Sequence, residues 1–137
     1  MSTDQATRTD GAASDALAFC AIDHVQLAMP AGGEDLAEKF YSGILGFTPV
    51  EKPIHLRRRG GCWFAFDRVQ VHLGVDPDFT PARKAHPAFL VSSLPALKRR
   101  LEEANVDIVL DTPLDGYDRC YASDPFGNRL EFMERVK

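Results

Sequence analysis

An order of predicted elements that occurs twice constrains the fold of this chain more than any other feature. Residues 19–75 and residues 85–137 each show a strand, a helix and three further strands. The strands have apolar residues at every second position, and the helices have them at intervals of three and four. Because one such half leaves an open, curved surface, a second half must complete it. The sequence therefore predicts an α+β domain of two βαβββ modules, with a curved mixed sheet around a cavity.

In module one, residues 19–75, we expect two particular turns to set the geometry. Gly46 stands where the end of a helix requires left-handed backbone. Asp67 and Arg68 alone separate the last two strands, which predicts a hairpin with a two-residue turn. The predicted elements are a strand, a helix and three strands at 21–29, 34–45, 47–50, 61–66 and 69–75.

Module two, residues 85–137, follows a connector at 76–84 that is rich in proline and aspartate. Its last two strands flank the segment Asp124–Asn128, in which proline and glycine supply turn geometry. The predicted elements are a strand, a helix and three strands at 87–91, 95–104, 107–110, 117–123 and 129–134.

Size and charge indicate the class of partner. The 137 residues suit one domain, here residues 19–137, and the 45% hydrophobic and 26% charged contents are ordinary for a globular protein. The formal net charge of -4 argues against a nucleic-acid partner, because a phosphate-binding surface needs concentrated lysine and arginine. No apolar run approaches the length of a membrane span. We therefore expect neither nucleic acid nor a membrane as a partner.

The cysteines and the N-terminus indicate the compartment. Cys20, Cys62 and Cys120 are odd in number and far apart, which is typical of reduced thiols in a cytoplasmic protein. Residues 1–18 are dominated by small and polar residues and lack the pattern of a signal peptide. We expect this lead-in to be disordered.

Four potential metal ligands stand at matched places in the two modules. His24 lies in the first strand of module one, and His86 opens the first strand of module two. His72 and Glu131 lie in the last strands of the two modules, 48 and 45 residues further on. A pseudo-twofold relation between the modules would allow all four side chains to converge on one ion. Imidazole and carboxylate are suitable donors for divalent Zn, Ni, Co, Fe or Mn.

Each of these residues also has an ordinary structural interpretation. A single histidine in a strand is more often packed or solvent-exposed than a metal ligand. The symmetric placement of four such residues favours a shared metal over coincidence. The strand phase agrees, because His72 lies on the face opposite the valines of its strand. A buried Glu131 would need solvent, a cation or a metal.

Hairpin pairing adds three candidate substrate-binding residues. A two-residue turn at 67–68 pairs Trp63 with His72, and a five-residue turn at 124–128 pairs Tyr121 with Glu131. Arg119 then shares the face of Tyr121, where a guanidinium would suit an anionic ligand. The alternatives are strand packing for Trp63 and a surface ion pair for Arg119. The same registers place Cys62 and Cys120 on the opposite, packed faces, which is typical of core thiols.

Four strings together resemble the vicinal oxygen chelate (VOC) superfamily, over residues 19–136. They are IDHVQLAMP, AEKFYSGILGF, AHPAFLV and DPFGNRLEFME. His24, His86 and Glu131 match the ligand set that resembles the fosfomycin-resistance thiol transferases and the extradiol dioxygenases. His72 stands where glyoxalase I has a glutamate that is both ligand and base. The resemblance therefore implies the VOC fold and a metal site, with glyoxalase I activity itself disfavoured.

The function that this resemblance implies is a metal-dependent, glyoxalase-like enzyme of lyase or isomerase type. Oxygen atoms of a small substrate would bind one divalent ion, which polarises a carbonyl or stabilises an enediolate. The alternatives are an extradiol-type dioxygenase and a non-catalytic drug- or metabolite-binding protein like the bleomycin-resistance proteins. A homodimer is expected, with the site formed either within one chain or across the dimer interface.

Overall fold

The computed structural model describes residues 15–136, so most of the predicted lead-in at 1–18 lies outside the described residues. In module one the elements are β1 (Val25–Met29), α1 (Glu34–Glu38), β2 (Thr48–Val50), β3 (Cys62–Phe66) and β4 (Val69–Val75). In module two they are β5 (Ala88–Leu90), α2 (Leu94–Glu103), β6 (Tyr117–Ser123) and β7 (Arg129–Arg135).

The strands form two small mixed sheets. In the first sheet the order is β1-β4-β3-β2, with β1 parallel to β4 and the other pairs antiparallel. In the second sheet the order is β5-β7-β6, with β5 parallel to β7 and β6 antiparallel to it. Each module thus places its first strand beside its last one, and the predicted α+β fold of two modules is confirmed.

The strand predicted at 107–110 was wrong in extent. Only Val109 pairs, through a single bridge to Tyr121, so the second sheet has three strands and not four. The side chains of Val109 and Leu110 remain more than half exposed. A longer edge pairing would therefore gain little from cross-strand packing.

The helices bury the stripes that the sequence predicts. Ala37, Phe40 and Tyr41 are buried at the three- and four-residue spacing of one helical face. After α1 the chain continues in π-helical geometry over Lys39–Ile44, and Gly46 follows with φ of 89°. The predicted left-handed turn at Gly46 is confirmed.

A short 3-10 helix at Ile54–Arg59 was not predicted, and its arginines lie at its last turn. One of them, Arg57, pairs with Glu51 at 2.8 Å between Nη2 and Oε2. The three consecutive arginines therefore form the solvated end of this 3-10 helix, and one of them has an acidic partner. No helix within residues 15–136 is both long enough and apolar enough to cross a bilayer.

Both predicted hairpin registers are confirmed. Trp63 pairs with His72 across β3 and β4, and Tyr121 pairs with Glu131 across β6 and β7. Asp67 takes a φ of 51°, which a two-residue hairpin turn requires. A slip of one residue in either hairpin would exchange the core face for the open face.

The turn Asp124–Asn128 ties the two modules together. The hydroxyl of Tyr41, from the helical segment of module one, donates to Asp124 Oδ2 at 2.7 Å. Asn128 Nδ2 donates to the carbonyl oxygen of Ala28 in β1 at 2.8 Å and to Asp124 Oδ2 at 2.9 Å. Burial raises the pKa of Tyr41, and the charge of Asp124 raises that pKa further. The polar residues of this turn therefore hold the modules together, and Asn128 also lines the groove that His24 and His86 share.

Candidate metal centre

A groove of about 900 Å³ separates the first strands of the two modules, and both His24 and His86 line it. His24 was predicted inside a strand, but it lies one residue before β1. His86 lies two residues before β5, where Pro87 has no N–H to donate to a ladder. The two histidines thus occupy equivalent places at the entrances of their strands.

The ligand candidates of module one form a stack of three aromatic rings. The ring of His72 lies between those of His24 and Trp63, with centroid distances of 4.0 and 4.1 Å. Burial lowers the pKa of His72, and the proximity of His24 lowers it further. His72 is therefore held neutral, the form in which an imidazole binds a metal.

Asp23 orients His24. Its Oδ2 lies 2.9 Å from His24 Nδ1, so a proton on Nδ1 makes this hydrogen bond and the lone pair remains on Nε2. A carboxylate that holds one ring nitrogen while the other faces a metal is a common arrangement around metal-binding histidines.

The ligand candidates of module two form a charged network. Glu131 is 6% exposed, and its Oε1 lies 2.9 Å from His86 Nε2. Arg119 Nη1 donates to Glu131 Oε2 at 3.2 Å. Burial would raise the pKa of Glu131, but its hydrogen bonds with His86 and Arg119, and the positive charge of Arg119, lower that pKa below its ordinary value. The carboxylate is thus ionised and ready to bind a cation.

His86 lies between two hydrogen-bond acceptors. Its Nδ1 is 2.7 Å from the carbonyl oxygen of Lys84, and its Nε2 faces the Glu131 carboxylate. A neutral imidazole has one N–H and cannot donate to both. Either the ring carries a second proton, or a cation takes the place of that proton between Nε2 and Glu131. The local chemistry therefore demands a positive charge at the point where a metal would be bound.

Arg119 lies on the face of Glu131, where the predicted register places it, but protein acceptors already engage its guanidinium. Nη2 and Nε donate to the carbonyl oxygen of Thr112 at 2.7 and 3.3 Å. Nη1 donates to the hydroxyl of Tyr121 at 3.0 Å as well as to Glu131. Asp111 lies 3.9 Å away and adds a second negative charge. Arg119 is thus suited to orient Glu131 and Tyr121.

A family model for the Glyoxalase/Bleomycin resistance protein/Dioxygenase superfamily matches residues 21–132. That match spans all four ligand candidates and both modules. The chain belongs to this superfamily. The resemblance noted for the four sequence strings is thereby confirmed, while no curated protein is significantly similar to the sequence.

Solved structures agree with this assignment. A glyoxalase family protein from Bacillus anthracis is 41% identical, with a TM-score of 0.85 over 88% of this chain and 99% of that one. The fosfomycin resistance protein FosX from Listeria monocytogenes is 13% identical, with a TM-score of 0.68 over 87% and 96%. TnmS3, an antibiotic binding protein from Streptomyces sp. CB03234, is 20% identical, with a TM-score of 0.62 over 86% and 100%. The last two share the fold alone.

The four ligand candidates come together as two pairs. His24 stacks on His72, and His86 contacts Glu131. Within the described part of the chain, no three His, Cys, Asp or Glu residues form a group that could hold a metal ion. One chain thus presents two half-sites, which we name the module-one half-site (His24, His72 and Trp63) and the module-two half-site (His86, Glu131, Arg119 and Tyr121).

Sequence reasoning missed three features of these half-sites. Asp23 could have been noticed as the carboxylate next to His24. Arg129 could have been found from strand phase, since it lies two residues before Glu131 and shares its face. The carbonyl oxygen of Lys84 had no sequence signal, because any residue carries one.

Proposed function

We propose that this protein is a metal-dependent, glyoxalase-like enzyme of lyase or isomerase type, acting on a small molecule that chelates through oxygen. Its metal would be bound by His24 and His72 of one copy together with His86 and Glu131 of a second copy. The observation that carries the proposal is the distance of 2.9 Å between His86 Nε2 and Glu131 Oε1, which would let one ion bind both atoms.

The donors fit a divalent transition metal. His24 is oriented by Asp23 with its Nε2 lone pair available, and the pKa of His72 is lowered by burial. Three imidazoles and one carboxylate suit Zn, Ni, Co, Fe or Mn. When bound, such an ion supplies Lewis acidity that polarises a substrate carbonyl.

The residues around the ligands would divide the remaining work. Arg119 keeps Glu131 ionised and fixes its orientation through Oε2. Trp63 covers one face of His72 with its indole ring and would wall the substrate. Tyr121 presents a hydroxyl that Arg119 orients. Because an imidazole bound to a cation is a poor proton acceptor, the reaction would differ from that of glyoxalase I, which needs a base at the position of His72.

A homodimer would complete the site. A twofold interface presents the same surface on both copies, so two half-sites per chain would make two full sites per dimer. The chain leading to His24 carries apolar side chains that are exposed in one copy: Phe19 is 95% exposed and Ile22 is 81% exposed. Exposed apolar residues that adjoin a half-site are typical of a surface that a partner covers.

Metal content and complementation test this proposal together. Elemental analysis of metal-replete protein should give one divalent ion per chain, and sedimentation should give a dimer. In a heterodimer of His24→Gln/His72→Gln with His86→Gln/Glu131→Gln, one of the two shared sites is intact. This heterodimer should bind half as much metal as wild type, while each homodimeric variant should bind none.

The outcomes separate the parts of the proposal. Wild-type protein without metal would overturn the metal site and favour a non-catalytic binding protein. A heterodimer without metal beside a metal-loaded wild type would show that each site is formed within one chain. Circular dichroism of both double variants serves as the control for folding.

We also propose that the protein works in the reducing cytoplasm. Cys20, Cys62 and Cys120 are all free thiols. Such thiols persist where glutathione and thioredoxin keep cysteines reduced. Cell fractionation with an antibody against the protein would check this.

A further inference from the structure

Two arginines flank the ring of Tyr121, and their surroundings differ. Arg119 Cζ lies 5.7 Å from the ring centroid, and its N–H groups are engaged by Thr112, Tyr121 and Glu131. Arg129 Cζ lies closer, 4.2 Å from the same centroid. The two guanidinium groups therefore share one aromatic platform, but within residues 15–136 protein acceptors engage that of Arg119 alone.

Among the described residues Arg129 has no direct ion-pair partner, although Asp111 is near enough for the charge of Arg129 to help lower the pKa of that carboxyl. The ion pairs formed within residues 15–136 leave it without a carboxylate inside 4.0 Å, whereas Arg119 has both Glu131 and Asp111. Arg129 also lines the groove together with His24 and His86. Its guanidinium is thus a cation placed beside the ligand candidates of both modules.

The platform also restrains the geometry of Arg129. Contact between a guanidinium and an aromatic face limits the side-chain rotamers, and the N–H groups at the edge of the guanidinium plane stay available. Those edge groups match the spacing of the oxygens in a carboxylate or phosphonate. A long arginine held in this way loses less conformational freedom when it binds an anion than one that moves freely in solvent.

Strand geometry sets the distance to the metal ligands. Arg129 and Glu131 are alternate residues of β7 and share one face, so their Cα atoms are about 7 Å apart. His86 precedes β5 by two residues, and the register Ala88 to Glu131 continues toward Arg129 on that side. A small ligand could therefore place its anionic group at Arg129 and its metal-binding oxygens beside Glu131 at the same time.

We propose that Arg129 binds the anionic group of the ligand, and that this ligand is a small 2-oxo or 2-hydroxy acid with a carboxylate or phosphonate. The inference rests on the proposed metal site for the other half of the ligand. It names Arg129, and not Arg119, as the residue that distinguishes anionic from neutral ligands. Arg119 acts through Glu131 as a positioning residue.

Three probes that carry an acetyl group test this assignment. Pyruvate, acetylphosphonate and acetoin differ in the group beside the acetyl carbonyl, which is a carboxylate, a phosphonate or a neutral 1-hydroxyethyl group. Calorimetric titration of metal-loaded wild type, Arg129→Gln and Arg129→Lys gives a dissociation constant for each probe. Arg135→Gln is the matched control, because it lies on the same strand and face six residues further along.

Arg129→Gln should weaken binding of the preferred anion about 10- to 100-fold, the loss typical of a charge-assisted hydrogen-bond pair. Its affinity for the neutral acetoin should change less than about twofold. Arg129→Lys should recover part of the loss, because it keeps the charge without the planar pair of donors. Arg135→Gln should match wild type. A preference for pyruvate or for acetylphosphonate identifies which anion the site takes.

Several results would overturn the inference. One is that wild type and Arg129→Gln, at equal metal content, bind both anions with equal affinity. Another is that Arg129→Gln loses its metal. The third is that metal-loaded wild type binds neither anion. Metal content is measured on the same samples, so a metal-free wild type would instead identify failure of the proposed function. In that case the dissociation constants of the two anions are compared between metal-free wild type and metal-free Arg129→Gln. Equal constants would show that Arg129 does not bind the anion.

Discussion

The two half-sites occupy matching positions in the two modules and differ in their physical chemistry. In module one, His24, His72 and Trp63 form a stack of rings, and burial holds the pKa of His72 below its ordinary value. In module two, the buried Glu131 forms an ion pair with the partly exposed Arg119 and also contacts His86. One half-site is kept neutral by packing, and the other is kept charged by hydrogen bonds.

This difference shows what each module contributes to a shared metal. The neutral imidazoles need no counterion, so the module-one half-site is stable without a cation. The module-two half-site contains a histidine between two acceptors and is incomplete without a positive charge. Loss of a ligand should therefore affect metal binding in both modules but affect folding mainly in module two.

Replacing Glu131 should have the largest effect. Glu131→Gln removes the buried carboxylate charge that accepts from the partly exposed Arg119, so metal should be lost and the free energy of unfolding should fall by about 2 kcal/mol. His24→Gln should also lose metal, but its side chain is 38% exposed and its unfolding free energy should fall by less than about 1 kcal/mol. Elemental analysis and urea denaturation measure the two quantities.

The control for this comparison is Glu103→Gln, on the exposed side of α2, which should change neither quantity. Equal losses of stability in Glu131→Gln and His24→Gln would contradict the distinction between a neutral and a charged half-site.

Replacing His72 with glutamate should change the chemistry of module one. Wild type should turn over the hemithioacetal of methylglyoxal and glutathione weakly or not at all, because the base position holds an imidazole. His72→Glu should raise turnover at least about 10-fold if the pocket accepts that substrate. Assays with Zn, Ni, Co and Mn supplied in turn measure this, and robust turnover by wild type would show that the missing base was misjudged.

The pH dependence of stability should differ between the two half-sites, because His72 and Glu131 titrate in different pH ranges. The folded-state pKa of His72 is lowered, so its contribution is complete above the unfolded pKa of about 6.5 and declines as pH falls toward the folded pKa. The pKa of Glu131 is also lowered, so its contribution is complete above about 4.3 and is lost only below that.

Urea denaturation of metal-free wild type, His72→Gln and Glu131→Gln between pH 8 and 3.5 would measure these windows. The stability advantage of wild type over His72→Gln should shrink first, and the advantage over Glu131→Gln should shrink only in the more acidic range. A single common window would show that the two half-sites titrate as one unit.

The smallest effect concerns the cysteines, one on the packed face of each module. Burial raises the pKa of Cys62 to about 11, with Glu34 and Glu38 adding to the shift. Its alkylation at pH 8 should therefore be about 100-fold slower than that of an ordinary thiol and should rise steeply toward pH 11. Cys120 is fully buried and should react only on unfolding. Mass spectrometry after timed iodoacetamide treatment measures both rates. Rapid alkylation of Cys62 at pH 8, or alkylation of Cys120 in the folded protein, would contradict the prediction.

Local features of the sequence were enough to predict most elements and both hairpin registers. The alternation of valine and polar residues in β4, with only Asp67 and Arg68 before it, leaves one pairing that buries the valine face. Gly46 likewise had one conformational role at the end of a helix. The edge strand at 107–110 was overpredicted, because apolar alternation does not reveal whether a residue stays exposed.

The residue types of the candidate site were also evident from sequence, as were the faces on which they lie. Sequence periodicity specifies which side of a strand a residue occupies, because that depends on neighbours two positions away. Together with the turn lengths, it therefore predicted that Trp63 lies beside His72 and that Tyr121 lies beside Glu131.

Only the tertiary structure decided how these residues are grouped and which of them carry an available charge. Strand phase contains no information on the separation of β1 and β5, and that separation divides the four ligand candidates into two pairs. It also cannot show that Thr112 and Glu131 occupy the donors of Arg119 while Arg129 keeps its own, because those contacts join segments distant in sequence. Hydrogen-bond partners and charge balance depend on distances in space, which a one-dimensional pattern does not encode.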